Sequence, residues 1–404
     1  MRKSVMTLAM VAVMLMARAV NAQPAPWEPE RLTPGWVFTP SIVFGGLHDS
    51  NVTLRAVNEP IRSEWVGLLN PRGEIDFNGR RTHMNAGYSG SLEAYRQFSE
   101  LNRYEQVGRF ELRQTAAEHL QLFAHAGYSK VPTTDRLDLG GGALPFVGVG
   151  SRHADASGGF QLQVSPRTQI DGNLSAQAIR FEPVGDQAPT EFDRYLRSGY
   201  SVSPSIGVMH GVSERMSVGG ALSYGHTEVD SGLNTFNVYT ETAELSYQTG
   251  PHTTVRGGAG ASYLTSPTED ISLWGPAYHI SLEHKEGRVS VDGKYEHTFV
   301  PSIGFGGANA SQRMSASAHV PVAQGRWIFG GSFGYGEIAP IEQLDINFTV
   351  HSLWTQGTVG YQISRWLRAE GFLNRTHQTS TARGLIDRTR VGIEFVTSKP
   401  VRIQ

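Results

Sequence analysis

The chain has 404 residues, a formal net charge of −2, 46 glycines and no cysteine, with a mean hydropathy of −0.28. Near-neutral charge argues against a nucleic-acid partner, which leaves a basic footprint, and the lack of cysteine removes disulfides and thiolate metal sites as supports for the fold. Beyond the first 22 residues there is no long apolar helical run and no sequence repeat of fixed length, so helical membrane bundles, propellers and solenoids are excluded.

Residues 1–22 carry a positive start (Arg2, Lys3), an apolar run from Val5 to Ala17 and small residues at Asn21-Ala22. That pattern predicts a cleaved secretory signal peptide, because the run is too short for a spanning helix. Its removal takes Arg2, Lys3 and Arg18 and no acid, moving the formal charge from −2 to −5. Residues 23–35 (QPAPWEPERLTPG) are rich in proline and predict an extended periplasmic lead-in.

From there residues alternate with period two. Short turns are expected at 77–81, 115–119, 165–168, 212–215, 249–252, 285–288, 323–326 and 364–365. Between them lie pairs of alternating segments joined by longer connections at 49–64, 131–150, 183–195, 229–235, 265–274, 300–309, 338–346 and 380–386. Short and long connections in strict turn predict an all-β transmembrane antiparallel up-and-down β-barrel of about 18 strands over 36–397 in the cell outer membrane, with 398–404 as a C-terminal tail. One face of each segment is thinned by Gly and Ala and bracketed by Trp and Tyr, as a lipid face is. Pro40 and Pro204 interrupt predicted strands and should mark ends or bulges.

The stretch Gly330-Gly331-Ser332-Phe333-Gly334 matches the G-x-S-x-G nucleophile elbow, yet that motif needs a turn into a helix and here the alternation runs on. Ser332 is therefore read as a strand residue on the wet side, and no catalytic, metal or cofactor site is expected. The proposed wet face carries both signs of charge: Arg72, Glu74 and Asp76; Glu93; Arg109, Glu111 and Arg113; Asp292, Lys294 and Glu296; Arg368 and Glu370; Arg390 and Glu394. Such ladders can pair across strands and stiffen a wall, and can bias permeation through a hydrated pore. Both roles are expected. Aromatics on that face are few, with Tyr95, Phe123 and Trp354 as candidates. The 131–150 connection, with three glycines, Asp135 and Asp138, is a candidate inward constriction. Turn arginines (Arg80, Arg81, Arg215, Arg288, Arg365) place positive charge at the periplasmic mouth and predict a more acidic external half.

Residues 45–55 (GGLHDSNVTLR), the aromatic-rich hairpin 79–106 with Tyr88, Tyr95 and Leu101-Asn102, and the closing stretch 385–395 (LIDRTRVGIEF) resemble the β-barrel porin-2 family of Gram-negative outer membranes. The resemblance covers both ends of the chain, and the middle matches in architecture only. It implies a passive barrel linked to exopolysaccharide export, with outer-membrane lipid, the barrel assembly machinery and a periplasmic polysaccharide export protein as partners. The few wet-face aromatics favour a general diffusion porin instead, and a plugged structural barrel without transport is the third expectation. One departure concerns the terminus: Phe395 is followed by VTSKPVRIQ, so the final residue is not the aromatic that barrels commonly end on.

Overall fold

The computed structural model describes residues 35–132, 149–182, 197–229, 234–268, 270–302, 307–340, 349–381 and 384–403. The expected leader and most of the proline-rich lead-in lie outside these residues, as do Asp135 and Asp138. The first six strands are β1 (Gly35–Asp49), β2 (Glu64–Asn78), β3 (Thr82–Tyr95), β4 (Arg103–Ala117), β5 (Leu120–Val131) and β6 (Ser151–Ser165). They are followed by β7 (Thr168–Phe181), β8 (Gly199–Gly211), β9 (Met216–Val229), β10 (Asn234–Gly250), β11 (Thr253–Ser266) and β12 (Ile271–Glu286). The last full-length strands are β13 (Val289–Ser302), β14 (Gly307–Val322), β15 (Trp327–Pro340), β16 (Val350–Ser364), β17 (Leu367–Ser380) and β18 (Gly384–Ser398), with a short β19 (Val401–Ile403) after them. Each full-length strand pairs antiparallel with its sequence neighbours, and β1 closes the ring by pairing with both β2 and β18. The sheet is a closed 18-strand barrel, the one sheet arrangement with no open edge for lipid to meet.

Alternation decides which side chains face out. On β2, Trp65 is 65% exposed while its neighbours Glu64 and Val66 are buried at 4% and 2%. The outward side chains form an apolar band, including Ile42, Leu174, Ile206, Leu222, Ile280 and Ile393. Aromatics bound it at both rims. Trp65, Tyr104, Tyr128, Tyr200, Tyr239 and Trp274 lie toward the long connections, and Trp36, Tyr247, Trp327 and Tyr361 toward the short ones. Neighbouring rings touch, as in Tyr263–Trp274 at 4.6 Å and Trp327–Tyr361 at 4.7 Å between centroids. An apolar waist between two aromatic girdles is the surface a bilayer-spanning barrel requires.

Strand prolines follow one rule. Pro40 and Pro204 lie inside strands rather than at their ends, each where one neighbouring ladder is interrupted. The β1–β19 pairs stop at Phe38↔Val401 and the β1–β18 pairs resume at Ser41↔Ser398, leaving Pro40 in the gap. On the β8–β9 side, pairing jumps from Val202↔His226 to Ser205↔Ser223 across Pro204. Pro71 occupies the same kind of gap between β2 and β3, where Leu69↔Leu92 is followed by Arg72↔Ser89. A residue without an N–H is tolerated where no donor is called for.

The residues read as a C-terminal tail belong to the wall. β19 pairs with Trp36–Phe38 of β1, and the Lys399 amide donates to the Pro40 carbonyl (3.3 Å), so the closing seam continues past Pro400. Val401 and Ile403 extend the outward apolar face there. The seam is tight: a Cβ on Gly45 would lie 2.2 Å from the Ile393 carbonyl oxygen.

Candidate functional site

The inward faces of the strands enclose a lumen with two unlike halves. Apart from Pro321 beside a short turn, the buried apolar side chains of the described residues, from Val43, Leu47 and Val66 to Phe236, Leu264, Ile338 and Ile386, come from the half nearer the long connections or from those connections. The buried polar side chains, including Asp49, Glu64, Glu93, Thr227, Gln378 and Arg388, share that distribution. Here the 50–63 connection turns inward. Val52 packs on Leu47, Val66, Leu68 and Tyr95, joined by Phe98 and Leu101, and Leu54 packs on Ile386. On the opposite wall Val229, Phe236, Val238 and Leu264 form a second cluster. The 50–63 segment therefore narrows the outer mouth, and the 131–150 connection, expected from the sequence as a candidate constriction, lies mostly outside the described residues.

A charged knot holds this half together. Asp49 at the end of β1 accepts from Arg388 Nε (3.0 Å to Oδ2) and Nη2 (2.6 Å), and lies 3.4 Å from Arg390 Nε. Arg390 also donates to Glu93, which accepts from Arg103 Nε (2.9 Å) and the Tyr95 hydroxyl (2.9 Å). Asp49 is fully buried and Arg388 is 4% exposed, so the pairing must replace the hydration both groups give up. Ser50 and Asn51 complete the join. The Thr389 amide donates to Ser50 Oγ (2.8 Å), and Asn51 Nδ2 donates to the carbonyls of Arg55 (2.8 Å) and Asp387 (3.3 Å). The Asp-Ser-Asn element and the Asp-Arg-Thr-Arg element, read from opposite ends of the sequence, thus meet across the closing seam. Asn102, flagged with the same hairpin, accepts from the Tyr95 amide at 2.7 Å.

Toward the short turns the lumen wall is polar and open. Arg72, Glu74, Asp76, Arg109, Glu111 and Arg113 all point inward from β2 and β4, as do Asp292, Lys294 and Glu296 from β13, and Arg368, Glu370 and Glu394 from β17 and β18. Several are paired: Arg109 Nη2 with Glu74 (2.6 Å), Lys294 with Glu296, and Arg368 Nη2 with Glu370 (3.0 Å). Asn85 Nδ2 bridges Glu74 (2.8 Å) and Asp76 (2.6 Å). Glu93 and Arg390 stand apart from the rest of this set, because they belong to the buried knot. The acids just placed on the open wall already outnumber the bases, and the inward Asp171 and Glu244 add to that excess. In the knot Asp49 and Glu93 are offset by Arg103, Arg388 and Arg390, while many acids of the long connections that the expectation of a more acidic external half counts on lie outside the described residues.

The other sequence-flagged residues fall into place. Ser332 sits mid-strand, opposite Ser317 and Gln356, with no elbow and no histidine or acid across from it. Trp354 lies inward across Gly334, where a Cβ would meet its indole at 2.2 Å. Phe123 borders a recess in the wall with Gln161, Asp171 and Asn173. Arg103 and the inward 50–63 connection were not singled out from the sequence. The first looks like one more charge on an alternating ladder, and the second carries its apolar residues at irregular spacing.

No protein-family model matches the chain, and no curated protein sequence matches it. Solved structures resemble it in outline. OccAB4 of Acinetobacter baumannii is 7% identical, with 93% of this chain and 100% of that one covered at a TM-score of 0.44. The outer membrane protein opdK of Pseudomonas aeruginosa is 9% identical, covering 90% and 99% at 0.43, and the siderophore receptor PirA from Pseudomonas aeruginosa is 8% identical, covering 92% and 81% at 0.43. Likeness at that level assigns neither a family nor a solute. The class is defined by the fold itself: a bilayer-spanning antiparallel barrel of outer-membrane type with a polar lumen.

Proposed function

We propose that this chain is a passive, water-filled outer-membrane channel for small polar solutes, held narrow at its outer mouth. The observation that carries this reading is the divided lumen: a hydrated wall of mixed charge on one side, and inward packing around the Asp49–Arg388 knot on the other. Exposed charges of both signs along a wall suit diffusion of small polar solutes. A wide polymer needs a cleared mouth, so the exopolysaccharide conduit rests on the sequence resemblance alone. Membrane lipid and the barrel assembly machinery are partners on the small-solute reading, whereas a periplasmic polysaccharide export protein belongs only to the conduit. Purified full-length protein in planar bilayers should give discrete, small conductance steps. Absence of steps in both the wild type and Asp49→Asn would leave a plugged structural barrel in place of a channel.

A further inference from the structure

On the barrel exterior, the rim of the long connections above β5–β7 carries a row of three cations. Lys130 on β5, Arg152 on β6 and Arg180 on β7 stand directly opposite one another in register, all pointing outward at the rim of the long connections. Like charges placed opposite each other across strands are destabilising. One acid offsets part of that cost. Glu182, just past β7, accepts from Arg152 Nε (3.1 Å) and lies 3.3 Å from Lys130 Nζ. Burial pushes the Glu182 carboxyl up, but hydrogen bonds and charge from Lys130 and Arg152 outweigh it and hold the group below the usual carboxylate range. Arg180 is exposed and has no acidic partner among the described residues. Among the described residues the row therefore keeps an excess of positive charge.

Beneath the cations the outward surface is built of small residues. The next register row holds Tyr128, Ala154, Ala178 and Tyr200, and the one below it Ala126, Ala156, Ala176 and Val202. Two tyrosines thus flank a shallow furrow floored by alanines. The furrow ends where Leu174 and Phe160 refill the surface. Small residues thin the outward face elsewhere too, as at Gly220, Ala243 and Ala259, but here they lead down from a row of cations, and that combination has the shape of a headgroup site above an acyl-chain track. Tyr128 and Tyr200 belong to the aromatic girdle, which sits at headgroup level, so the cations are at the depth of lipid phosphates.

We propose that the β5–β7 exterior is a binding site for a phosphorylated glycolipid of the outer leaflet, with Lys130, Arg152 and Arg180 taking its phosphates and the alanine furrow taking an acyl chain. Charge-assisted bonds from guanidinium to phosphate, bidentate where geometry allows, would relieve the repulsion within the row. The site rests on the outer-membrane placement of the barrel and is independent of whether the lumen conducts.

The test uses delipidated full-length protein in mild detergent, with a diphosphorylated acyl-glucosamine disaccharide as probe and native mass spectrometry as readout. The protein should retain the probe, and the triple variant Lys130→Gln/Arg152→Gln/Arg180→Gln should retain about tenfold less or lower still. Ala156→Phe, which fills the furrow and leaves the cations untouched, should also reduce retention. The dephosphorylated disaccharide should bind weakly, and inorganic phosphate at the same concentration should not displace the probe. Heat-modifiable mobility on gels confirms that each variant is folded. Equal retention by the folded triple variant, equal retention of the dephosphorylated lipid, or displacement by inorganic phosphate would each overturn the site. A protein dimer that forms without lipid and is lost in the same variants would assign the surface to a second copy of the chain and overturn it too. Loss of conductance alone would sink the channel reading and leave this one standing.

Discussion

The outer and periplasmic halves of the same lumen are built from one strand pattern and yet differ in kind. At the Arg109–Glu74 pair the two side chains keep 55% and 36% of their exposure, while at the Arg388–Asp49 pair they keep 4% and none. Chemically the two are alike, each an arginine on a carboxylate at 2.6 Å. What separates them is the 50–63 connection, whose Val52 and Leu54 fold onto the outer wall and take water away from the second pair. The periplasmic charges are then groups that solvent and solutes can share. Those of the outer half are structural joints.

The largest effect follows from that contrast. Asp49→Ala leaves Arg388 buried without its main acceptor and should cost about 3–5 kcal/mol, because an uncompensated buried charge is the expensive outcome. Urea unfolding of the reconstituted barrel would read the cost. In bilayers the same variant should open more often or more widely as the outer mouth loosens. A loss near zero would mean that the knot is hydrated and the two halves do not differ.

A middle-sized effect is expected at the seam. Gly45→Val places a side chain against the Ile393 carbonyl, and overpacking of this kind costs about 1–3 kcal/mol. Because β18 must close on β1 there, the variant should unfold at a lower temperature than wild type in gel-mobility assays. Unchanged resistance would show that the strands can part locally without loss of closure.

Much of the barrel was legible because its signals are local. Each short turn expected from the sequence, from 77–81 to 364–365, falls at or overlaps an observed hairpin link, and period-two alternation assigned the inward face of β2, β4, β13 and β17. The knot was not legible. Asp49 and Arg388 are 339 positions apart and meet only because the barrel closes, so neither residue differs locally from any other inward charge. The β19 strand escaped for a related reason: Lys399-Pro400 reads as a terminus until Trp36–Phe38 is set beside it. The cation row escaped because its three members lie on three strands, and register is what aligns them.

A small effect is expected in the open half. Glu74→Gln should change stability by no more than about 1 kcal/mol, since its ion pair with Arg109 is solvent-screened. Equilibrium unfolding beside Asp49→Ala makes the comparison direct. A cost similar to that of Asp49→Ala would place the whole lumen in one class.

The smallest effect concerns ion preference, and it separates the halves by function instead of stability. On the open wall Glu74, Asp76, Asp171 and Glu244 tip the balance toward negative charge, whereas the acids of the knot are offset by Arg103, Arg388 and Arg390. A path bordered by that wall should prefer cations weakly. The preference should fade between 0.1 M and 1 M salt, as the screening length falls from about 10 Å to about 3 Å. Glu74 and Asp76 share one donor, Asn85, so the double variant Glu74→Gln/Asp76→Asn removes two neighbouring negative charges while keeping groups that can still hydrogen-bond. Reversal potentials in a salt gradient should move toward zero in that variant at low salt. Clear anion selectivity in the wild type would contradict the excess of acids along the path, and an unchanged potential in the double variant would mean that ions cross the barrel without passing this stretch of wall.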